Sequence, residues 1–438
     1  MHPPLLSVLH WLHHLDLSEH PQVLTHARHL VLDTLGCAIA GRRADEVSQF
    51  EQQAAQIDPG AFDLTDNAGK GLSQANAAML LAMAICWDEA CEGHAGAHGR
   101  PGVAAMAALL PMAAKLTYGQ FLKSLVVGYE VGARYGASLR INKGMHVDGN
   151  WPALGAAAAV AHAMGLSPEQ IAQAVQVAAC QMPMSLYLPI QSGATSRNTY
   201  LGHAAQLGQS AALAVASGVT APANAAEVYA QIGLGKEALP FDTRQEFHIL
   251  QAYFKPYAAV RHVHYGALAA SHLRQAIDVQ QIQSITLHIY EEATIYCGNR
   301  APQTPLQAQF SLSFGLAAML RWGRLDPWVY REPQFHDAAL RQLESCIEIA
   351  IEPAWSQQQQ RAARVRISCN DGSVHVHEVT TVPGDVGMPF TEDALLAKFM
   401  SYGEGSLNRT EAQGWAHQLL TGSLDSNPFP FWKSSKEI

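Results

Sequence analysis

The sequence predicts a mainly α protein with an α+β part, made of a large all-helical domain and a smaller α+β domain. Apolar residues recur at helical spacing through most of the chain before about residue 255. Between about 265 and 390 the hydrophobic pattern changes, because apolar and polar residues alternate there as in a strand with one buried face. Helical spacing returns after Thr391, so the α+β part is expected to lie between two helical parts.

The helical segments of the first part cover residues 4–15, 21–41, 74–87, 103–116, 119–139, 153–164, 167–181 and 197–217. From 21–41 onwards they are rich in Ala and Gly on the faces that should pack. Small side chains allow helices to approach closely, so this composition predicts buried helix-to-helix contacts. Ser167, Pro168 and Gln170 indicate a helix start, because Ser caps the helix, Pro fits its first position and Gln returns a hydrogen bond. Gly41 is expected to cap the end of the second helix.

Strand signals are confined to the later part of the chain. Residues 285–290 alternate apolar and polar side chains, and the runs 364–368 and 374–378 flank Asn370-Asp371-Gly372, which is typical of a tight hairpin turn. Helix patterns lie between these strands at 306–322 and 335–346. These signals place the α+β part at residues 265–390.

Composition excludes some classes of protein. Charged residues make up only 15% of the chain, against a usual value of about 25%, which favours extensive burial, including burial against another subunit. The net charge of −9 gives no indication of nucleic-acid binding. No apolar stretch of about 18 residues predicts a membrane span, and the N-terminus lacks the pattern of a signal peptide. Seven scattered cysteines without a CxxC pair indicate reduced thiols in a cytoplasmic protein.

The stretch from Trp87 to Gly102 concentrates polar chemistry between two apolar segments. It holds two histidines, three acids and one arginine among small residues: His94, His98, Asp88, Glu89, Glu92 and Arg100. Its glycines interrupt helical continuity, so the polar groups are expected on a loop held by a rigid scaffold, as functional groups often are. A solvated turn between helices is the simpler interpretation. A metal site is a further alternative, with His94 and His98 as ligands and Asp88 or Glu92 as a third.

Five segments in order resemble one protein family. They are Asp33 to Gly41, Asp88 to His98, Lys143-Gly-Met-His146, Thr195-Ser-Arg197 followed by Gly202 to Gln206, and Lys255-Pro-Tyr continuing to Arg261-His-Val-His264. Together they resemble the MmgE/PrpD family, whose known members include 2-methylcitrate dehydratase, cis-aconitate decarboxylase and iminodisuccinate epimerase. The resemblance implies a helical domain built from both termini, residues 1–264 and 391–438, and an α+β lid at 265–390. It also implies a homodimer that needs no metal or organic cofactor.

The resemblance assigns the candidate site residues. It implies catalytic roles for Asp88, His98, His146 and His264, and substrate binding by His94, Arg197 and Arg261. Each residue also has a structural alternative: His146 could cap a helix, Asp88 could cap a helix or pair with a cation, and Arg261 could pair with an acid across the domain junction. Arg197 stands where the family usually has lysine, and Phe314 falls where the decarboxylases carry tyrosine.

The named reactions of the family share one chemical need. A bond beside a carboxylate breaks or is reprotonated, so charge builds on a carbanion- or enolate-like centre. Histidines suit the proton transfer and cations suit the carboxylates. The resemblance therefore implies a cofactor-independent lyase, either a dehydratase or a decarboxylase, acting on a small di- or tricarboxylate. An epimerase acting beside a carboxylate and a catalytically lapsed binding subunit are the alternatives.

Overall fold

The fold is taken from a computed structural model, and the structure describes residues 2–62 and 71–429. The last nine residues of the predicted helical part 391–438, and Met1, lie outside the described residues. Within them the predicted fold class is confirmed: the chain is mainly helical, with one four-stranded sheet in its C-terminal region. No helix of the described part is long and apolar enough to cross a membrane.

The described helices and strands follow in chain order. Before residue 261 the helices are α1 Pro3–His13, α2 Pro21–Gly41, α3 Asp45–Ile57, α4 Gln74–Trp87, α5 Pro101–Leu109, α6 Tyr118–Ser138, α7 Pro152–Ala163, α8 Pro168–Ala179, α9 Leu188–Ser192, α10 Tyr200–Ala216 and α11 Ala225–Gly233. After it they are α12 Arg261–Arg274, α13 Glu291–Cys297, α14 Pro305–Gln309, α15 Leu312–Trp322, α16 Ala338–Ser345, α17 Pro353–Gln357, α18 Glu392–Gly403 and α19 Arg409–Thr421. The strands are β1 Pro59–Gly60, β2 Gly71–Leu72, β3 Gly93–His94, β4 Met145–His146, β5 Ser185–Leu186, β6 Ala252–Tyr253, β7 Ile282–Ile289, β8 Ile347–Ile351, β9 Ala363–Cys369 and β10 Val374–Val379.

Helix α7 is the centre of the helical part. It packs against α5, α6, α8 and α10, and its residues from Pro152 to Ala161 are buried. Almost all of its side chains are Ala, Gly, Leu or Val, so no polar group has to be satisfied inside this core. Gly155 of α7 faces Gly128 of α6, where an added Cβ on Gly128 would lie 2.8 Å from the Gly155 carbonyl oxygen. The predicted close helix packing is confirmed.

We expect Gly128→Ala to lower the free energy of unfolding by about 1–3 kcal/mol, the usual cost of overpacking a core. The new methyl group would also lie 2.6 Å from the Ala159 Cβ, and two packed helices would have to separate. The matched control is Gly414→Ala, which lies exposed in α19 with no atom within 4 Å of its added Cβ. That change should stabilise by about 0.5–1 kcal/mol, because Ala favours a helix interior. Chemical unfolding measures the free energy of unfolding of both variants. Equal changes in the two variants would contradict the argument that Gly128 is needed for close packing of α6 on α7.

Local signals for element ends are largely confirmed, with one correction. Ser167 and Gln170 form a capping box at α8, and Thr391 caps α18. Gly41 is not a C-terminal cap, because it is the last residue of α2 and Arg42 follows it in right-handed conformation. Gly41 is instead needed for packing, since a Cβ there would lie 1.9 Å from the Ala84 carbonyl oxygen of α4.

The lid sheet has the strand order β10-β9-β7-β8. The predicted hairpin is confirmed as β9 and β10, which pair antiparallel around a turn in which Gly372 has φ +83°. Strand β7 pairs antiparallel with β9 and parallel with β8. The single helix predicted at 306–322 is two helices, α14 and α15, because Ser311 caps a new helix by accepting a hydrogen bond from the Phe314 N–H.

The junction between the two parts runs through α12. This helix packs against α15, β9 and β10 of the lid, and the boundary proposed between residues 264 and 265 falls inside it. Helix α18 returns to pack against α2, so residues after 391 rejoin the helical part. We still propose two parts, residues 1–264 with 391–438 and residues 265–390. The start of α12 lies where these two parts meet.

Candidate active site

The polar loop after α4 is held in an unusual backbone conformation. Glu89 has φ 51° and His98 has φ 54°, in the left-handed region that residues other than glycine rarely adopt. Within the loop, β3 pairs with β6, which fixes His94 against a segment far along the chain. Non-glycine residues in the left-handed conformation cost conformational energy and cluster at functional sites. The loop is therefore built by tertiary contacts and does not have the character of a solvated turn.

The loop forms one wall of a cavity of ≈ 330 Å³. That volume lies at the lower end of the range of about 300–1,000 Å³ for small-molecule sites. The other walls come from the segment between α6 and α7, from the segment before α12 and from the lid. The charged and aromatic residues of the lining are Glu89, His94, His98, Arg100, Arg140, His146, Asp148, Trp151, Tyr187, Arg197, Tyr253, Lys255, Arg261, His262, Glu292, Tyr296, Phe310 and Arg361.

Five of the seven candidate residues from the sequence line this cavity. They are His94, His98, His146, Arg197 and Arg261. They lie up to 167 positions apart in the chain, and the fold brings them together. The other two candidates, Asp88 and His264, are not part of the lining.

Asp88 lies behind the loop and pairs with the lid. Its carboxylate lies 2.7 Å from Nη2 of Arg331, and the residue is 2% exposed. Burial raises the pKa of Asp88, although Arg331 and Arg43 oppose that shift. Asp88 is also the C-terminal cap of α4, with its N–H donated to the Cys86 carbonyl oxygen. The salt-bridge alternative noted for Asp88 matches this geometry.

His264 lies inside α12 and is fully buried. Its Nε2 is 3.0 Å from the Ala259 carbonyl oxygen, and its Nδ1 is 3.3 Å from Nη1 of Arg261. Burial and the adjacent Arg261 guanidinium hold the pKa of His264 well below its ordinary value. The residue that reaches the cavity from this turn is His262, whose Nδ1 lies 2.6 Å from the Tyr290 hydroxyl. His264 therefore supports Arg261 from behind.

Glu89 is the centre of a buried charge network on the cavity wall. Its carboxylate accepts hydrogen bonds from Arg100 at 3.1 Å, from Lys255 at 2.6 Å and from Arg197. Each of these side chains is at most 6% exposed. Burial alone would raise the pKa of Glu89, but the three cations hold it well below its ordinary value. Glu89 therefore stays ionised and fixes three cations in place.

Asp148 joins His146 to the same network. Its Oδ2 is bound by Arg100 and lies 3.6 Å from both Nη2 of Arg197 and Nδ1 of His146. The His146 Nδ1 also accepts a hydrogen bond from the Asp148 N–H at 3.2 Å. A neutral His146 thus carries its proton on Nε2, which has no hydrogen-bond partner among the described residues. Burial lowers the pKa of His146 to about 4, although Asp148 opposes that shift.

His98 and His94 lie on the loop itself. The exposed His98 ring makes no hydrogen bond within the described residues, and its pKa is lowered to about 4 by partial burial and by Arg140 and Arg361. His94 is 2% exposed, its Nδ1 accepts the Ala97 N–H at 3.0 Å, and its ring stacks on His248 at 5.6 Å. His98 is thus free to meet a ligand, whereas His94 holds the loop in shape.

The geometry does not favour the alternative metal site. His94 and His98 do not share a helix, and Asp88 pairs with Arg331. Glu92 caps α5 by accepting the Gly102 N–H at 2.8 Å, and burial raises its pKa to about 8. No group of three or more His, Cys, Asp or Glu side chains in the described part of the chain is arranged to hold a metal ion.

The lining is strongly cationic in a chain of net charge −9. Six cations line it: Arg100, Arg140, Arg197, Lys255, Arg261 and Arg361. Three carboxylates oppose them: Glu89, Asp148 and Glu292. With neutral histidines the described lining carries an excess of three positive charges. A concave, partly desolvated surface of this charge attracts a small molecule with several negative charges.

Sequence reasoning missed several residues of the site. The Lys255-Pro-Tyr motif contains Lys255 but does not predict its place in the lining, and the composition of the polar loop predicts no role for Glu89 or Arg100. Asp148 follows His146 by two positions, and a carboxylate so close to a candidate histidine was the available signal. Arg361 had no signal, because it is one arginine in an otherwise ordinary loop before a strand.

Comparison with known proteins identifies the family. The model of the MmgE/PrpD N-terminal domain matches residues 7–236, and that of the MmgE/PrpD C-terminal domain matches residues 257–420. The chain belongs to the MmgE/PrpD family. The resemblance inferred from five short motifs is therefore confirmed.

This MmgE/PrpD protein is similar to fungal relatives. It is 24% identical over 452 residues to cis-aconitate decarboxylase of Aspergillus terreus (strain NIH 2624 / FGSC A1156). This alignment covers 90% of this chain and 88% of the relative. A second cis-aconitate decarboxylase of Aspergillus terreus is 28% identical over 216 residues, covering 45% of this chain and 44% of the relative. The cis-aconitate decarboxylase-like protein oryM of Aspergillus oryzae is 28% identical over 190 residues, covering 40% of this chain and 39% of the relative.

The two departures from the family pattern lie in different places. Arg197 lines the cavity of this MmgE/PrpD protein, where arginine can bind a carboxylate but does not release a proton at neutral pH. Phe314 does not line it, since its buried ring stacks on Tyr330 at 5.5 Å inside the lid. Of these two residues, only Arg197 therefore lines the cavity.

Proposed function

We propose that the protein is a cofactor-independent lyase that acts on a small di- or tricarboxylate, by decarboxylation or dehydration. The observation that carries the proposal is the excess of three positive charges around a buried, neutral His146 in one cavity. The similarity to one cis-aconitate decarboxylase along 90% of the chain supports a tricarboxylate of the cis-aconitate type. We further propose a homodimer in the cytoplasm.

The proposed mechanism assigns roles by position. Arg197 and Lys255 bind the carboxylate beside the breaking bond, because both line the cavity and are held in place by Glu89. Loss of carbon dioxide leaves an electron pair on the adjacent carbon, and the cations stabilise this charge as it spreads into the remaining carboxylate. The carbanion then takes a proton from Nε2 of His146, which is protonated in the complex with substrate and returns to the neutral imidazole. In dehydration a neutral lining histidine accepts the proton from the carbon, and the same cations stabilise the carbanion. The hydroxyl group then leaves as water after taking a proton from a second, protonated histidine.

His98 is the second proton-transfer residue in the proposal. It lies at the mouth of the cavity with an unbonded ring, so it can exchange protons with solvent. We propose that it protonates a leaving hydroxyl group or restores the proton of His146 through water. Asp88 and His264 act through Arg331 and Arg261, as positioning residues.

The alternatives give different products. An epimerase needs proton donors on two faces of one carbon. With His146 on one face of that carbon, His98 or His262 would be the donor on the other face, since both also line the cavity. A lapsed binding subunit would bind carboxylates and convert none. The unpartnered Nε2 of His146 favours catalysis over binding alone, because a purely structural histidine usually has both nitrogens bonded.

The test is product formation from a panel of carboxylates, followed by proton NMR. The panel holds cis-aconitate, citrate, 2-methylcitrate, itaconate and iminodisuccinate. The proposal expects loss of carbon dioxide or water from at least one tricarboxylate. Inversion of a stereocentre without loss of either would establish the epimerase. If a carboxylate raises the melting temperature and none reacts, the lapsed subunit is correct.

Binding of a tricarboxylate is expected to take up a proton. His146 is neutral in the empty cavity because its pKa is about 4, and the negative charges of the ligand raise that pKa. Between the two pKa values the complex holds a proton that the free protein lacks, so uptake is expected at pH values above about 4 and below the raised pKa of the complex. Calorimetric titration in two buffers of different ionisation enthalpy measures it. The His146→Gln variant should take up fewer protons than the wild type. Equal proton uptake by the variant would show that His146 is not the group that is protonated on binding.

A further inference from the structure

We propose that Arg140 and Arg361 form a second carboxylate subsite at the mouth of the cavity, with His98 between them. This subsite holds a carboxylate other than the one bound by Arg197 and Lys255, and it makes the site selective for tricarboxylates. The inference rests on the proposed function, because it assumes that the cavity binds a substrate with several carboxylates.

The inner cations are already neutralised by the protein. Arg100, Arg197 and Lys255 share the carboxylates of Glu89 and Asp148. On the lid side, Arg261 pairs with Asp385. These cations still attract a ligand, but each one has an acid in contact.

Arg140 contacts no acid within the part of the chain that the structure describes. It follows α6 in the helical part and is half-buried, and its single hydrogen bond within the described chain goes to the Gly96 carbonyl oxygen at 3.4 Å. Burial lowers the pKa of Arg140, and no acid is among the causes that act on it. A partly desolvated guanidinium without an acid is costly, and a bound carboxylate would offset that cost.

Arg361 has only a weak acid partner and belongs to the lid, on the other side of the cavity from the helical part. It lies between α17 and β9 of the lid, with 31% of its side chain exposed. Its nearest acid oxygen is Oε2 of Glu292 at 3.7 Å, beyond hydrogen-bond distance, and within the described residues its guanidinium makes no hydrogen bond. Glu292 is 48% exposed on its side chain, so the pair is weak.

Two observations place these arginines together and apart from the inner network. Both line the cavity, and both act on His98, whose pKa they lower. The cations that act on His146 are instead Arg197 and Arg100. Arg100 and Arg197 are at most 6% exposed, whereas Arg361 is 31% exposed and Arg140 is half-buried. We therefore assign the group around His146 to the inner half of the cavity and the group around His98 to the outer half.

The outer group spans the two parts of the molecule. Arg140 belongs to the helical part and Arg361 to the lid, so a carboxylate bound by both connects the two across the mouth. Bidentate binding of carboxylate suits guanidinium groups better than ammonium groups, which agrees with arginine at both positions. A substrate with only enough carboxylates for the inner half would leave the outer pair unused.

The test compares two ligands that differ by one carboxylate. Propane-1,2,3-tricarboxylate and pentanedioate share the same five-carbon chain, and only the first has a carboxylate on its central carbon. Dissociation constants are measured by calorimetry for the wild type, Arg140→Gln, Arg361→Gln and the control Arg244→Gln. Arg244 is 66% exposed and lies outside the cavity lining. Melting temperatures without ligand show whether each variant is folded.

We expect the wild type to bind the tricarboxylate at least tenfold more tightly than the dicarboxylate. Arg140→Gln and Arg361→Gln should each weaken tricarboxylate binding about tenfold and dicarboxylate binding less than twofold, while Arg244→Gln changes neither. Equal weakening of both ligands, or equal binding of both by the wild type, would overturn the subsite and leave the proposed function standing. If the wild type binds neither ligand, the proposed function fails, and the subsite fails with it.

Discussion

Glu89→Gln is expected to lower the free energy of unfolding by about 3–5 kcal/mol, the usual result of removing one partner from a buried ion pair. The neutral amide keeps the shape of the side chain but removes the charge that Arg100, Arg197 and Lys255 share. Asp148 would still neutralise Arg100 and Arg197, but Lys255 would keep no acid in contact within the described residues. Urea unfolding near pH 7 measures the loss.

The matched control is Glu378→Gln on β10. Its carboxylate lies 2.8 Å from Nε of Arg364, so the contact is as close as those of Glu89, but 45% of the Glu378 side chain is exposed. An exposed pair contributes only about 0–1 kcal/mol. If Glu89→Gln costs no more than Glu378→Gln, water in the cavity screens the network, and Glu89 does not hold the cations in place.

His146→Ala is expected to reduce the turnover number by about 100- to 10,000-fold, the usual contribution of one general acid or base. The change removes the imidazole proposed to deliver the proton and leaves Arg197 and Lys255 in place. The Michaelis constant should therefore change less than the turnover number, because carboxylate binding rests on those cations. Steady-state kinetics with the reactive substrate separates the two constants.

His336→Ala serves as the control for this prediction. His336 is 67% exposed on its side chain and lies in the lid, outside the cavity lining. It should leave both constants unchanged. A tenfold higher Michaelis constant in His146→Ala with an unchanged turnover number would show that His146 binds substrate and transfers no proton.

The helical scaffold was readable from sequence because its signals are local. Helix α4 begins and ends at the predicted residues, and the hairpin of β9 and β10 surrounds the predicted turn. Periodicity and turn chemistry depend on a few neighbouring side chains, so they survive without knowledge of the fold. Gly41 shows the limit: a glycine at a helix end predicts a cap, but the need for glycine there comes from contact with a neighbouring helix.

The site was predictable only in part, because its contacts are not local. Family motifs identified His146 and Arg197 as lining residues, but they did not show that Glu89 joins cations 11, 108 and 166 positions away. His262 and His264 differ by two positions in one motif, and the rotation of α12 decides which of them reaches the cavity. The left-handed conformation of Glu89 and His98 likewise follows from tertiary contacts that no local pattern records.

The most direct test of the central claim is proton NMR of the reaction in deuterated water. The wild type, His146→Ala and His336→Ala are each incubated with the tricarboxylate that reacts, or with cis-aconitate if none has been found. With the wild type and with His336→Ala, we expect deuterium on the carbon beside the retained carboxylate if the reaction is decarboxylation, or loss of water if it is dehydration. With His146→Ala we expect almost none of either. Deuterium incorporation or loss of water by His146→Ala at the rate of the wild type would contradict this account, because carbanion chemistry would then occur without His146.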